Sequence, residues 1–238
     1  MKKFIFILIA LATVCAVCFA SYSASKNKRA QEEFARAVEE YRLEKFQRYE
    51  AENQLYSAFE VDALFLGDSL TDMYELEKYY PSYLTLNRGI GGDTTVGLEE
   101  RLALSVYDVQ PKVCLMLIGA NNMREMFENY ENILIGLRDN LPKTKIVLLS
   151  LTSMGLEWGK NNQLAAYNNV KIKMLAEKYS FEYVDLYSAL MNLETGEIYP
   201  EYTTDGGHLT PLGYDVLTAE ITPVIEQLLA EWQAENEK

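Results

Sequence analysis

The chain has 238 residues, 49% of them hydrophobic, enough to bury a substantial core in one or two domains. With 22 Lys and Arg against 35 Asp and Glu, its formal charge of -13 excludes a nucleic-acid partner, which a surplus of cations would hold. The acidity names no substrate; it keeps a surface soluble.

The chain opens with Lys2 and Lys3, followed by an uncharged apolar run from Phe4 to Ala20. A basic stretch before an apolar one reads as an export signal, and Cys18-Phe19-Ala20 places small residues where a signal peptidase inspects them. The run also reaches the lower limit for a membrane-spanning helix. Lys26, Lys28 and Arg29 make the two flanks similarly positive, so the charge comparison is weak. Residues 1–24 are expected to be a signal peptide or, if uncleaved, a membrane anchor. The rest of the protein is then extracellular or held at the cell membrane. Neither Cys15 nor Cys18 follows the Leu-small-small pattern of a lipoprotein, and Cys114 lies in an apolar run as a small hydrophobe.

Residues 27–58 carry Glu, Lys, Arg, Gln and Ala with no Gly or Pro. Phe34, Val38 and Tyr41 keep helical spacing, which predicts a helix of about 30 residues, roughly 45 Å long at about 1.5 Å per residue. It reads as a stalk or linker, or as a helix packed on the following domain.

From Val61 short apolar runs alternate with helical stretches. Strands are predicted at 61–66, 83–87, 112–118, 145–151 and 182–186, with helices at 96–106, 125–140, 161–179 and 211–233. The runs at 112–118 and 145–151 are apolar throughout, as parallel strands covered on both faces require. The pattern predicts one α/β domain over 60–232, a three-layer α/β/α sandwich around a doubly wound, mainly parallel five-stranded sheet. In such sheets function gathers at the carboxyl ends of the strands. Four polar or glycine-bearing segments fall there: Gly67-Asp68-Ser69-Leu70, Asn87 to Thr95, Gly119-Ala120-Asn121-Asn122, and Asp205-Gly206-Gly207-His208.

His208 is the one histidine of the chain, three residues after a carboxylate that could orient it. Ser69 stands at a strand-to-helix turn, as a helix cap or as a nucleophile that needs a base; His208 is the only histidine available for that work. The glycine loop at 87–95 fails the dinucleotide fingerprint, because Thr94 stands where the third glycine belongs. Its glycines suit close approach of backbone N–H groups, and Asn121 could donate its amide to a developing oxyanion. The ordinary reading of both loops is turn chemistry. One histidine and no plausible Cys pair disfavour a zinc site, and no calcium loop is present.

Taken together, GDSL at 67–70, NRGIGGDTT at 87–95, GANN at 119–122 and DGGH at 205–208 resemble the blocks of the SGNH, or GDSL, hydrolase family. The blocks occur in the family's order. The resemblance covers about 61–230 and implies a flavodoxin-like fold and ester hydrolysis without a cofactor. It implies Ser69 as nucleophile, His208 as base and Asp205 as orienting acid, with Ser69, Gly92 and Asn121 as oxyanion donors. The second block is most similar to the branch containing platelet-activating-factor acetylhydrolase subunits and lysophospholipase-like esterases. The third block departs from the family's Gly-x-Asn-Asp, since Asn122 replaces the acid. The implied partners are small-molecule, polysaccharide or lipid esters. Acetyl or short-acyl esters of carbohydrates are the expected substrates, lipid esters the alternative, and an inactive binding module the alternative of another class. The loop 152–164 is expected to border the site, with Trp158 stacking on a sugar, lining an acyl pocket or simply packing. Oligomeric state is left open.

Overall fold

A computed structural model describes residues 28, 32–33 and 35–236. The segment expected as signal peptide or anchor, 1–24, lies outside the described residues. No helix among the described residues is long and apolar enough to cross a membrane. The chain divides into two compact units, Met1–Gln47 and Arg48–Lys238. In the first, residues 35–47 are helical.

The second unit begins at Arg48. It opens with a helical stretch over 48–53 (α1), which stops at Asn53 rather than at 58. The physical reason lies in its side chains. The Tyr49 hydroxyl donates to Gly89 O at 2.7 Å, Asn53 donates to Leu104 O at 2.7 Å, and Glu52 pairs with the buried Arg88. These bonds make α1 part of the α/β unit.

Five strands form the sheet: β1 (Ala63–Gly67), β2 (Thr85–Gly89), β3 (Val113–Leu117), β4 (Lys145–Leu149) and β5 (Glu182–Val184). All pairings are parallel and the order is β2-β1-β3-β4-β5. This is the doubly wound order of flavodoxin-like sheets, whose chain reverses direction of winding between β1 and β3. The expected "mainly parallel" sheet is therefore wholly parallel. Side chains alternate between two cores, as the two-residue period of a strand demands. Leu64, Leu66, Cys114, Met116, Ile146 and Leu148 enter one core. Phe65, Val113, Leu115, Leu117, Val147 and Leu149 enter the other.

The first core is closed by α4 (Thr95–Glu100), α5 (Phe127–Asn140) and α6 (Asn162–Tyr179), through residues such as Leu98, Ile133, Leu137 and Ile172. The second is closed by α2 (Ser69–Asp72), α3 (Leu76–Tyr79), α7 (Leu186–Leu190) and α8 (Pro211–Asn236). The helix expected over 96–106 ends at Glu100 and resumes as a π-helical turn over Ala103–Tyr107. The last helix begins on Pro211, where a missing N–H costs nothing.

Candidate active site

The carboxyl ends of β1, β2 and β3 carry three of the four sequence blocks. Asp68 caps α2 by accepting the Leu70 N–H at 3.1 Å, which makes Ser69 the first helical residue. The turn is fixed from three sides. Tyr214 of α8 donates to Leu70 O at 2.8 Å, Asn87 of β2 donates to Thr71 O at 2.6 Å, and Asp72 accepts the Gly91 N–H at 3.1 Å. The Ser69 hydroxyl thus projects from a turn that cannot drift.

The fourth block meets it from the loop before α8. His208 Nε2 lies 3.1 Å from Ser69 Oγ, across 139 positions of sequence. Its Nδ1 lies 2.7 Å from Asp205 Oδ2. Asp205 Oδ1 also accepts the N–H groups of His208 at 2.7 Å and Gly207 at 2.9 Å. The His208 N–H first, and then the imidazole, hold the Asp205 carboxyl down at about 2, below its usual 3.8. A carboxylate only accepts, so Nδ1 carries the ring proton and Nε2 presents its lone pair to Ser69.

Gly92 and Asn121 follow β2 and β3, the two strands that flank β1. Gly92 adopts φ +77° with open space where a Cβ would sit, so the backbone conformation, rather than crowding, calls for glycine. Asn121 follows β3 on a short 3₁₀ turn, Ala120–Asn122. Its Nδ2 donates to Asp93 O at 2.8 Å, which orients the amide and leaves its second hydrogen available. Gly92, Asn121 and Asp205 are all exposed. All five residues singled out from sequence therefore lie on one edge of the sheet. Ser69, His208 and Asp205 form a continuous hydrogen-bonded line.

Residues 65–216 match the family of GDSL-like lipases and acylhydrolases. The chain belongs to this family. As an acylhydrolase it is a carboxylic ester hydrolase. Among solved structures, a candidate platelet activating factor from Streptococcus pneumoniae is 27% identical, with a TM-score of 0.74 over 82% of this chain and 98% of that one. A GDSL-like lipase from Bacteroides thetaiotaomicron is 24% identical, with a TM-score of 0.67 over 76% of this chain and 97% of that one. An acetylxylan esterase from Geobacillus stearothermophilus is 20% identical, with a TM-score of 0.57 over 71% of this chain and 95% of that one. The last two likenesses are of fold. No curated protein matches the sequence.

One central residue of this acylhydrolase escaped the sequence reading. Arg101 is 3% exposed, and its guanidinium reaches three segments at once. It pairs with Asp93 Oδ2 at 2.8 Å, donates to Gly67 O at 3.0 Å and Arg88 O at 2.9 Å, and bonds Ser105 Oγ at 2.8 Å. Gly67 precedes the Asp68-Ser69 turn, Asp93 follows Gly92, and Asp93 O in turn holds Asn121. The buried fork joins the segments that carry Ser69 and Gly92 directly, and Asn121 is linked to it through Asp93 O. The signal was present: Leu98, Arg101, Leu102, Ser105 and Val106 form one helical stripe, so the cation sits on its buried face.

Asn122 also has a task. Its Oδ1 accepts the Thr95 N–H at 3.3 Å and its Nδ2 donates to Thr95 Oγ1 at 2.8 Å, pinning the start of α4 behind Gly92. An aspartate could accept from both groups, so the amide replaces the acid without loss of either contact. Asp68 contributes a second feature. Burial pushes its carboxyl up to about 7, against the pull of the Leu70 N–H.

Proposed function

We propose that this esterase works by acyl-enzyme chemistry at Ser69, with His208 as general base and acid and Asp205 as the group that orients and balances the imidazole. The observation that carries the reading is the line Asp205 Oδ2–His208 Nδ1–His208 Nε2–Ser69 Oγ, at 2.7 and 3.1 Å. His208 Nε2 takes the Ser69 proton as Oγ attacks the ester carbonyl. The oxyanion that forms accepts from the Ser69 and Gly92 N–H groups and the free hydrogen of Asn121 Nδ2. Collapse breaks the bond to the alcohol, which leaves with the proton from Nε2. Water then attacks the acyl-Ser69 ester by the same route and releases the carboxylic acid. No cofactor takes part in these steps.

Acetyl or other short-acyl esters of carbohydrates fit this site best. Gly92, Asn121 and Asp205 are exposed, so the reacting groups sit at an open surface edge that a bulky alcohol can approach. Export, with the domain outside the cell or held at its membrane, fits a polymer substrate at the cell surface. The lipid alternative draws on the likeness to the candidate platelet activating factor. Ser69→Ala is expected to abolish hydrolysis of acetylated sugars and labelling by a fluorophosphonate while leaving the circular dichroism spectrum intact. Retained turnover would overturn the assignment. A panel of acetylated xylo-oligosaccharides, lysophospholipids and short- and long-chain esters separates the two substrate classes.

A further inference from the structure

Two large apolar side chains, Leu156 and Trp158, stand exposed on a segment hydrogen-bonded to the His208 loop. Leu156 is 70% exposed and Trp158 is 49% exposed. Both belong to the 3₁₀ segment Leu156–Asn161 that follows β4. Leu156 adopts φ +52°, a left-handed conformation disfavoured for a branched side chain, and such outliers gather at functional surfaces. The segment is fastened to the His208 loop, because the Gly155 N–H donates to Gly206 O at 2.9 Å. A Cβ built on Gly207 would lie 3.5 Å from Trp158 Cδ1 and 3.6 Å from its Nε1. The indole therefore lies along the backbone that presents Asp205 and His208.

The chemistry of ester cleavage decides which part of a substrate meets this rim. In the tetrahedral intermediate the oxyanion points to the Gly92 and Asn121 donors. The alcohol oxygen must come within hydrogen-bond reach of His208 Nε2, since that nitrogen returns the proton. The alcohol moiety consequently leaves past the His208 loop, where Leu156 and Trp158 stand.

We infer that Trp158, with Leu156 beside it, is a leaving-group subsite that stacks on the sugar ring of an acetylated carbohydrate; this rests on the reading of Ser69 and His208 given above. A sugar offers an apolar C–H face to an indole and hydroxyls at its edge. Glu157 and Lys160, both exposed, supply an acceptor and a donor within two residues of the indole, a mixed rim suited to a neutral polyol. A quaternary ammonium, the rival alcohol group, is held by a cage of several rings. No ring stacks on Trp158 among the described residues, so a quaternary ammonium ester forms one arm of the test.

The test compares three acetate esters that share the acyl group and differ in the alcohol: acetylated xylobiose, ethyl acetate and acetylcholine. In full-length protein, Trp158→Ala is expected to lower the ratio of kcat/KM for acetylated xylobiose to that for ethyl acetate by roughly tenfold, through KM, as loss of one stacking face would. Trp158→Phe retains most of the ratio, and the preference for acetate over butyrate of one alcohol stays the same in all variants. An unchanged ratio, an altered acyl preference, or a larger loss on acetylcholine than on xylobiose would overturn the proposal. A binding arm stands apart from catalysis. Xylotriose is expected to quench tryptophan fluorescence in Ser69→Ala, and Trp158→Phe abolishes the quenching. Should the wild-type protein fail to hydrolyse ethyl acetate through Ser69, the catalytic reading falls, while the presence or absence of xylotriose quenching still decides the subsite.

Discussion

The two sides of the candidate site are built in opposite ways. The acid–base side is local and exposed: Asp205, Gly207 and His208 bond one another within four residues, and His208 O accepts the Thr204 N–H at 2.9 Å. The proposed oxyanion side is dispersed and held from beneath: Ser69, Gly92 and Asn121 come from three strand ends, the first two joined by the buried Arg101 and the third bonded to Asp93 O. Local hydrogen bonds suffice where one loop carries the chemistry. Where three loops must agree to a fraction of an ångström, a rigid fork under them is needed, and a planar guanidinium with five donors supplies it.

The largest expected effect breaks the local side. Asp205→Asn should lower kcat by roughly 10³–10⁴-fold, because an amide donating to Nδ1 moves the ring proton to Nε2 and removes the base. Steady-state kinetics on an acetate ester measures it; a loss under tenfold would show that Asp205 does not set the tautomer. Next comes the dispersed side. Arg101→Met leaves Asp93 buried without its cation, so thermal unfolding should register a loss of about 3–5 kcal/mol. The turnover of the folded fraction should drop by roughly 10²–10³-fold, the cost of one misplaced oxyanion donor. Arg101→Lys keeps the charge but not the fork, and should recover stability more than kcat. Equal recovery of both would reduce Arg101 to a structural ion pair.

A smaller effect separates the sides by pH. The Asp205 carboxyl lies below its unfolded value, so its contribution to stability is present above about pH 4 and is lost as pH falls through about 2. Asp68 has the opposite sign. Its folded value of about 7 exceeds the usual 3.8, so its contribution is present in acid and is lost as pH rises through about 7. Asp68→Asn, which retains the cap to Leu70, should therefore gain on the wild type between about pH 4 and pH 7 by a few kcal/mol, since a one-proton difference is worth about 1.4 kcal/mol for each pH step across that window. Melting curves across that range give the answer, and a difference constant with pH would refute it. The smallest effect is Asn122→Asp, expected to alter kcat/KM by less than about threefold because either side chain can hold Thr95. A drop beyond tenfold would mean that the amide does something an acid cannot.

The strands were legible because parallel strands buried on both faces are continuous apolar runs, and 112–118 and 145–151 read as such. Their ends shifted by one or two residues, since ladder pairing rather than hydrophobicity terminates them. The short helices α2, α3 and α7 escaped notice because four or five residues cannot display a 3.6-residue period. The link between α2 and α3 is held by a remote helix, since Tyr74 stacks on Tyr214 of α8 at 4.9 Å between ring centroids. The helix expected over 27–58 stops at Asn53, and nothing in the local pattern shows that Tyr49, Glu52 and Asn53 meet Gly89, Arg88 and Leu104.

By itself the sequence determined the layered α/β fold and the four blocks at its carboxyl edge, because continuous apolar runs and turn chemistry are local properties of the chain. Tertiary structure alone decided how those blocks meet. The 3.1 Å contact of His208 with Ser69, the bond of Arg101 to Gly67 O and the placing of Trp158 against Gly207 all join segments far apart in sequence. Contacts of that kind follow from how the strands are ordered and how the helices pack on them, and no local pattern encodes either.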